Sequence, residues 1–255
     1  VPRKYPKYTR PDVKNLSAEI DEDYEWRERE MRSFEQIFLG NDLLVEGHEF
    51  DRRRKCLIVM LYSHYEGFIK FALSVYAGAL NNSGRSGLEC RYVEDRIVSW
   101  SLSQVFSDLE GGGKKHPLFQ SLPTDQEVIH RLYRRSQVVE HWRKLEETQI
   151  NIPDEAYSTK SNLDYDRLRQ LLYQINVDHD KFSASASQLM ELCGRRNSIA
   201  HGDRENRQKG VSGEGEKGYF RIRERSFGAM KSVHQIIVTL LHEEAYLRPQ
   251  YRRRA

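Results

Sequence analysis

Cysteine is scarce in this chain: Cys56, Cys90 and Cys193 stand far apart, odd in number and never as a C-x-x-C pair. That spacing argues against a disulfide framework or a zinc site, and it suits a reducing cytoplasm. Long apolar runs are missing as well. None approaches the roughly 18 residues that a bilayer span needs, and stretches such as 236–241 have the length of core-helix segments, so no membrane partner is expected. Val1-Pro2-Arg3-Lys4-Tyr5-Pro6 leads into no apolar h-region, so no secretory leader is expected either. Charge of one sign does not dominate: the net charge is +3, which alone points to no nucleic-acid partner. Signatures of several chemistries are also lacking. No H-E-x-x-H spacing joins the nine histidines, and no nucleophile elbow is found. Gly213-Glu-Gly215-Glu-Lys-Gly218 has the G-x-G-x-x-G spacing, but no strand precedes it and its glutamates would repel a pyrophosphate. Gly111-Gly-Gly-Lys-Lys115 lacks the spacing of a phosphate loop and reads as a flexible connection. No cofactor and no metal site is expected.

What is present is helical periodicity. At 255 residues, with 38% hydrophobic and 31% charged residues, the chain can bury one large core and carry salt-bridged outer faces. Pro2, Pro6 and Pro11 make 1–15 an extended arm. Ser17 is an N-cap candidate, followed by acids in the first turns, and an apolar face runs through Trp26, Met31, Phe34 and Phe38 to Gly40. Residues 49–80 are apolar on much of their circumference, as a central bundle helix would be, and Asn81-Asn82-Ser83-Gly84 ends them. Two further helical stretches, 92–109 and 126–147, form an insertion over 88–150, either between bundle helices or as a lid. Helices are expected over 163–175, 181–200 and 226–247, with 202–218 a loop and 219–222 a very short strand. The fold class is all-α: a helix bundle with an additional helical insertion. Its organisation is an arm over 1–15, a helical domain over 16–247 and a basic tail over 248–255. The basic ends, Arg3, Lys4, Lys7 and Arg10 against Arg248, Arg252, Arg253 and Arg254, are either solvated tails or aids in holding a phosphate backbone.

One constellation carries chemistry. Residues 195–202 read Arg195-Arg196-Asn197-Ser198-Ile199-Ala200-His201-Gly202. On a continuous helix, Arg196 and His201 lie about 140° apart and share no face. Gly202 is a natural left-handed stop, and a helix ending there would let His201 swing toward Arg196. A histidine at a helix C-terminus is favoured in its charged form, which suits a group exchanging protons near neutral pH. The spacing alone is cheap, since about one Arg-x4-His match is expected by chance in a chain of this composition. Arg135-Ser-Gln-Val-Val-Glu-His141 satisfies a looser version.

The full string resembles the signature of the HEPN superfamily, in which an Arg is followed by a polar residue, often Asn, and a small apolar residue precedes the His. Asn197 and Ala200 match both features; the Arg135 to His141 stretch matches neither. Lys55-Cys-Leu-Ile-Val-Met-Leu-Tyr-Ser-His-Tyr-Glu-Gly-Phe-Ile-Lys70 resembles the long early helix of the ribonuclease-like, RiboL-PSP-type HEPN branch, and Ser161-Asn-Leu-Asp-Tyr165 resembles its segment upstream of the signature. The resemblance covers about 50–80 and 160–245 and leaves 88–150 aside. It implies a HEPN-like bundle that forms a homodimer with a composite site, and a metal-independent endoribonuclease. Its substrate would be RNA, with tRNA a candidate, in a toxin or phage-defence setting with an antitoxin or defence partner protein. The alternative it leaves open is a non-catalytic HEPN module that binds nucleotide or RNA, or a protein. Catalytic candidates are Arg196, His201 and Asn197. Arg195 is expected at the surface or steering phosphate. Glu66 and Lys70, four apart, either pair along their helix or help position the signature. Some HEPN toxins carry a Tyr two residues after the His that their antitoxin modifies. Asp203 stands there, which speaks against silencing by nucleotide transfer.

Overall fold

Asp12, not Ser17, starts the first helix. Its carboxylate accepts the Asn15 N–H at 3.2 Å, so α1 (Val13–Leu39) takes in the end of the expected arm and leaves Ser17 inside the helix. Gly40, at φ 59°, ends α1 where the sequence pointed. The computed structural model describes residues 7–40, 48–82, 87–111, 127–202 and 215–253, with Lys115 and Pro117.

The centre of the fold is α2 (His48–Asn81). Leu57, Leu61, Tyr65, Phe68, Ala72 and Tyr76 are buried along it, and α1, α7 (Ala186–Ala200) and α8 (Gly215–His242) pack around it. By length and composition Arg52–Asn81 qualifies as a membrane span, with a mean hydropathy of 1.2, contrary to the expectation that no stretch comes close. Since 56% of its apolar window is buried inside the protein, these are the properties of a bundle's central helix. Gly67 on α2 has a local reason: a Cβ there would press on the Arg27 guanidinium, which lies across α2, pairs with Asp23 at 2.6 Å and donates to the His64 carbonyl at 3.4 Å.

The 88–150 insertion is helical but more broken than its periodicity suggests. The expected helix over 92–109 is a 3-10 turn (Cys90–Tyr92) followed by α3 (Asp95–Ser101) and α4 (Ser103–Gly111), parted at Leu102. Then comes α5 (Glu127–Lys144), with a closing 3-10 turn at Leu145–Glu147. The two ends of the insertion meet in a neck. The Cys90 N–H donates to the Thr148 carbonyl at 2.8 Å, and the Ile150 N–H to the Leu88 carbonyl at 2.7 Å. Asn81 at the end of α2 ties the returning chain down, donating to the Ile152 carbonyl at 2.9 Å and accepting its N–H at 2.8 Å. Trp100 of α3 donates from its indole to the Ala156 carbonyl at 3.0 Å and stacks on Tyr76 of α2.

Beyond the neck, Asp164 caps α6 (Tyr165–Gln174), and the expected helix over 181–200 is a 3-10 stretch (His179–Ser185) running into α7. Residues 219–222 are not a strand: they lie in α8. Tyr219, Ile222, Ser226 and Met230 recur at helical spacing on its buried side. The Tyr219 hydroxyl and the Arg223 Nε both donate to Glu35 of α1 at 2.6 Å; four residues advance about 6 Å in a helix but about 13 Å in a strand, so only the helix brings both to one carboxylate. Among the described residues there is no strand, and the pairing outside helices is two isolated bridges, Glu89 with Gln149 and Val93 with Leu247.

The last helix also stops earlier than 247. Glu244 takes φ 51°, and the Ala245 N–H returns to the Leu240 carbonyl at 2.9 Å. Over 248–253 the basic tail is tied down by ion pairs, and Arg254 lies outside the described residues. Arg248 pairs with Asp95 at 2.8 Å and Arg252 with Glu94 at 2.7 Å. From the other end of the chain, Arg10 pairs with buried Glu244 at 2.8 Å, and Tyr8 donates to the same carboxylate at 2.9 Å.

Candidate active site

The signature lies on the last turns of α7, where it faces α2 and the loop before α6. Arg196 projects back along its own helix and across to that loop. Its Nη1 donates to Asn197 Oδ1 at 2.7 Å, its Nη2 donates to the Ser161 carbonyl at 3.0 Å, and the guanidinium carbon sits 4.3 Å from the centre of the Tyr62 ring. Stacking on tyrosine suits the flat, weakly hydrated guanidinium. Glu66 Oε2, one turn along α2 from Tyr62, lies 4.0 Å from Arg196 Nη2. At that distance the carboxylate contributes through its charge, while the two hydrogen bonds and the ring set the orientation.

The loop is itself built for this contact. Lys160 and Ser161 both take left-handed backbone angles, φ 55° and 56°, uncommon for two consecutive residues that are not glycine. The turn aims the Ser161 carbonyl at Arg196 and brings Asn162 under α7. Asn162 Oδ1 then accepts from Asn197 Nδ2 and from Cys193 Sγ, both at 2.9 Å. The loop is pinned from below by the Tyr62 hydroxyl, which accepts the Leu163 N–H at 2.6 Å. Burial pushes the Cys193 thiol up to about 11, with the Asp164 charge adding to the effect, so at neutral pH it is a hydrogen-bond donor and not a nucleophile. Burial likewise raises the Tyr62 hydroxyl above its ordinary range. Glu66 Oε1 is buried with no hydrogen-bond partner among the described residues, an arrangement that typically costs about 1–3 kcal/mol.

The structure therefore gathers Arg196, Asn197 and Glu66 and separates them from the other candidates. His201 is exposed at the C-cap of α7. Its N–H continues the helix to the Asn197 carbonyl at 3.0 Å, and Gly202, at φ 61°, takes the left-handed stop that its position predicts. Because the helical path runs through His201, the ring does not swing to Arg196, and no contact joins the two among the described residues. Lys70 is exposed, and Glu66 turns to Arg196 instead of pairing with it. Arg195 is not a surface residue: its side chain is 10% exposed and held by Glu191 at 2.6 Å, a carboxylate that also meets Arg221 at 3.5 Å. Asp203 lies outside the described residues. Sequence reasoning passed over Tyr62, Asn162 and Ser161 as site residues, although all three fall inside the two segments that carry the family resemblance.

Comparison with known proteins gives one result. The model of a family described as RiboL-PSP-HEPN matches residues 22–222. The match runs through the 88–150 insertion and begins earlier than the resembling segments do. No curated protein and no solved structure matches the chain.

Proposed function

The chain belongs to the RiboL-PSP-HEPN family, and from that membership we infer that its ribonuclease-like domain is a metal-independent endoribonuclease with Arg196 and His201 in the reaction. The observation that carries the reading is the Arg196 guanidinium. Asn197, the Ser161 carbonyl and Tyr62 hold it, and only part of its donor set is used, which leaves N–H groups for a phosphate oxygen. In the proposed reaction the RNA ribose 2′-oxygen attacks the adjacent phosphorus. The new P–O2′ bond forms as the P–O5′ bond breaks. One His201 takes the 2′-hydroxyl proton, and His201 of a second copy gives a proton to the departing 5′-oxygen. Arg196 stabilises the charge gathering on the phosphoryl oxygens, which in comparable sites is worth a few kcal/mol. Asn197 keeps the guanidinium oriented. The products carry 2′,3′-cyclic phosphate and 5′-hydroxyl ends. A toxin or phage-defence role, a cytoplasmic location and a neutralising or activating partner protein belong to the same proposal.

The test is incubation of wild type and His201→Ala with total RNA and tRNA in EDTA, with the product ends mapped. We expect cleavage by wild type alone, leaving cyclic phosphate ends, with the rate of the variant lower by about a hundredfold or more. Cleavage by both proteins alike removes His201 from the mechanism. A second reading, a non-catalytic module binding RNA or nucleotide, is favoured by one observation: Arg196 is engaged within its own chain and does not touch His201. Binding without cleavage, kept in His201→Ala, would support it.

A further inference from the structure

A cavity of about 790 Å³ lies between the insertion and α6, within the usual size range of small-molecule sites. Serines of α3 and α4, among them Ser103 and Ser107, form one wall with the half-buried ring of Phe106. The opposite wall carries Gln174 and Arg167 of α6, and Lys160 stands at the loop before it. The groups are not equally free. Arg167 is committed to the Ser158 carbonyl, which its Nε meets at 3.1 Å, so it builds the wall. Lys160 is exposed and its ammonium has no partner among the described residues. Gln174 Oε1 is buried and has no hydrogen-bond partner among them either. An unpaired buried amide acceptor is costly, and because the oxygen is sealed from solvent, a turn of the Gln174 amide toward the cavity would give it a ligand's N–H to accept.

We propose that this cavity binds one nucleotide unit, with its phosphate on Lys160, its base against Phe106 and the base edge read by Gln174. An aromatic face, an amide that both accepts and donates, and a single free cation are what a lone nucleotide needs. Glu110 and Glu155 also line the cavity and would repel a polyphosphate, so the site suits one phosphate. The assignment rests on the RNA-directed reading above and deepens it, because the site adjoins Arg196 through the chain. Lys160 precedes Ser161, whose carbonyl holds the guanidinium at 3.0 Å. An RNA strand with its scissile phosphate at Arg196 would lay a flanking nucleotide in the cavity, and the insertion would then be a specificity element.

The test uses the full chain in the His201→Ala background, with the 5′-mononucleotides AMP, GMP, CMP and UMP and a 2′-O-methyl RNA octamer that has no free hydroxyl to react. Lys160→Gly keeps the left-handed turn while removing the ammonium, Gln174→Leu removes the amide, and Ser107→Trp fills the cavity from an exposed position; melting temperatures confirm folding. We expect saturable binding of a mononucleotide, weakened about tenfold by each of the first two variants and lost in the third. Parallel weakening of the octamer identifies the occupant as part of the RNA strand, and an unchanged octamer identifies it as a free nucleotide. No mononucleotide binding by the folded protein, together with an octamer indifferent to all three variants, overturns the assignment. If wild type cleaves no RNA while binding still depends on Lys160 and Gln174, the ribonuclease reading falls and the cavity assignment stands.

Discussion

His64 shows how far a single side chain can depart from its ordinary chemistry. It is buried beside Trp26 and Phe34, and that burial lowers its pKa; the nearby Glu30 carboxylate works against the shift without cancelling it. The folded protein thus resists protonating His64, whereas the unfolded chain takes up a proton near its ordinary value of 6.5. Below that pH the unfolded state binds more protons, so stability is full above about 6.5 and falls as pH drops through the folded value. We expect the melting temperature of wild type to decline as pH falls below about 6.5, and His64→Phe to flatten the decline; equal slopes in both proteins would refute this account. Legibility at this scale followed sequence distance. Arg196, Asn197 and His201 lie within a few residues of one another, and the resemblance of their string to the HEPN signature, not the spacing alone, singles them out. Ser161 and Asn162 contact the signature from 35 residues away, and the left-handed backbone that aims them has no glycine to announce it.

Among the elements, the neck at 88–90 and 148–150 governs how the insertion sits. Gly87 enters it at φ 57°, and a Cβ there would collide with the Gln149 side chain. Gly87→Ala should therefore destabilise the protein by about 1–3 kcal/mol, through the backbone angle and the collision together. Chemical denaturation would show it, and a midpoint equal to that of wild type would exclude the collision. The central helix α2 could be read in advance because its apolar residues surround it. The opening of α8 could not: Tyr219-Phe-Arg-Ile222 is too short to separate a period of two from one of 3.6, and burial of Tyr219, Ile222, Ser226 and Met230 against the neighbouring helices decides the matter. The start of α1 lies at Asp12 and not at the expected Ser17 for a related reason. Asp12 and Ser17 are both competent caps, and local sequence does not rank them.

At the scale of the whole molecule, the segment before α1 closes on the segment after α8 through Tyr8 and Arg10 on Glu244, and Arg252 reaches Glu94 in the insertion. These contacts remove Arg10, Arg248 and Arg252 from any free basic tail. The proposed chemistry needs two histidines, and one chain brings a single His201 to the end of α7. A paired arrangement follows as an expectation. Titrating His201→Ala into wild type, with time for subunit exchange, should lower cleavage beyond simple dilution, since each mixed pair lacks one of its two proton-transfer groups. Activity that tracks the amount of wild-type chain alone would mean that a single copy suffices.

The sequence by itself determined the helical class, the central place of α2, the left-handed stop at Gly202 and the short list from which Arg196, Asn197 and His201 came. The first three rest on periodicity or spacing within a few turns of one helix, and the short list rests on the resemblance of one local string to a family signature. Only the tertiary structure decided that Glu66 meets Arg196 and not Lys70, that Arg195 is half-buried in an ion pair, and that Arg248 and Arg252 of the basic tail are tied down. Charged side chains choose partners by proximity in space, and helices that are far apart in sequence bring those partners together.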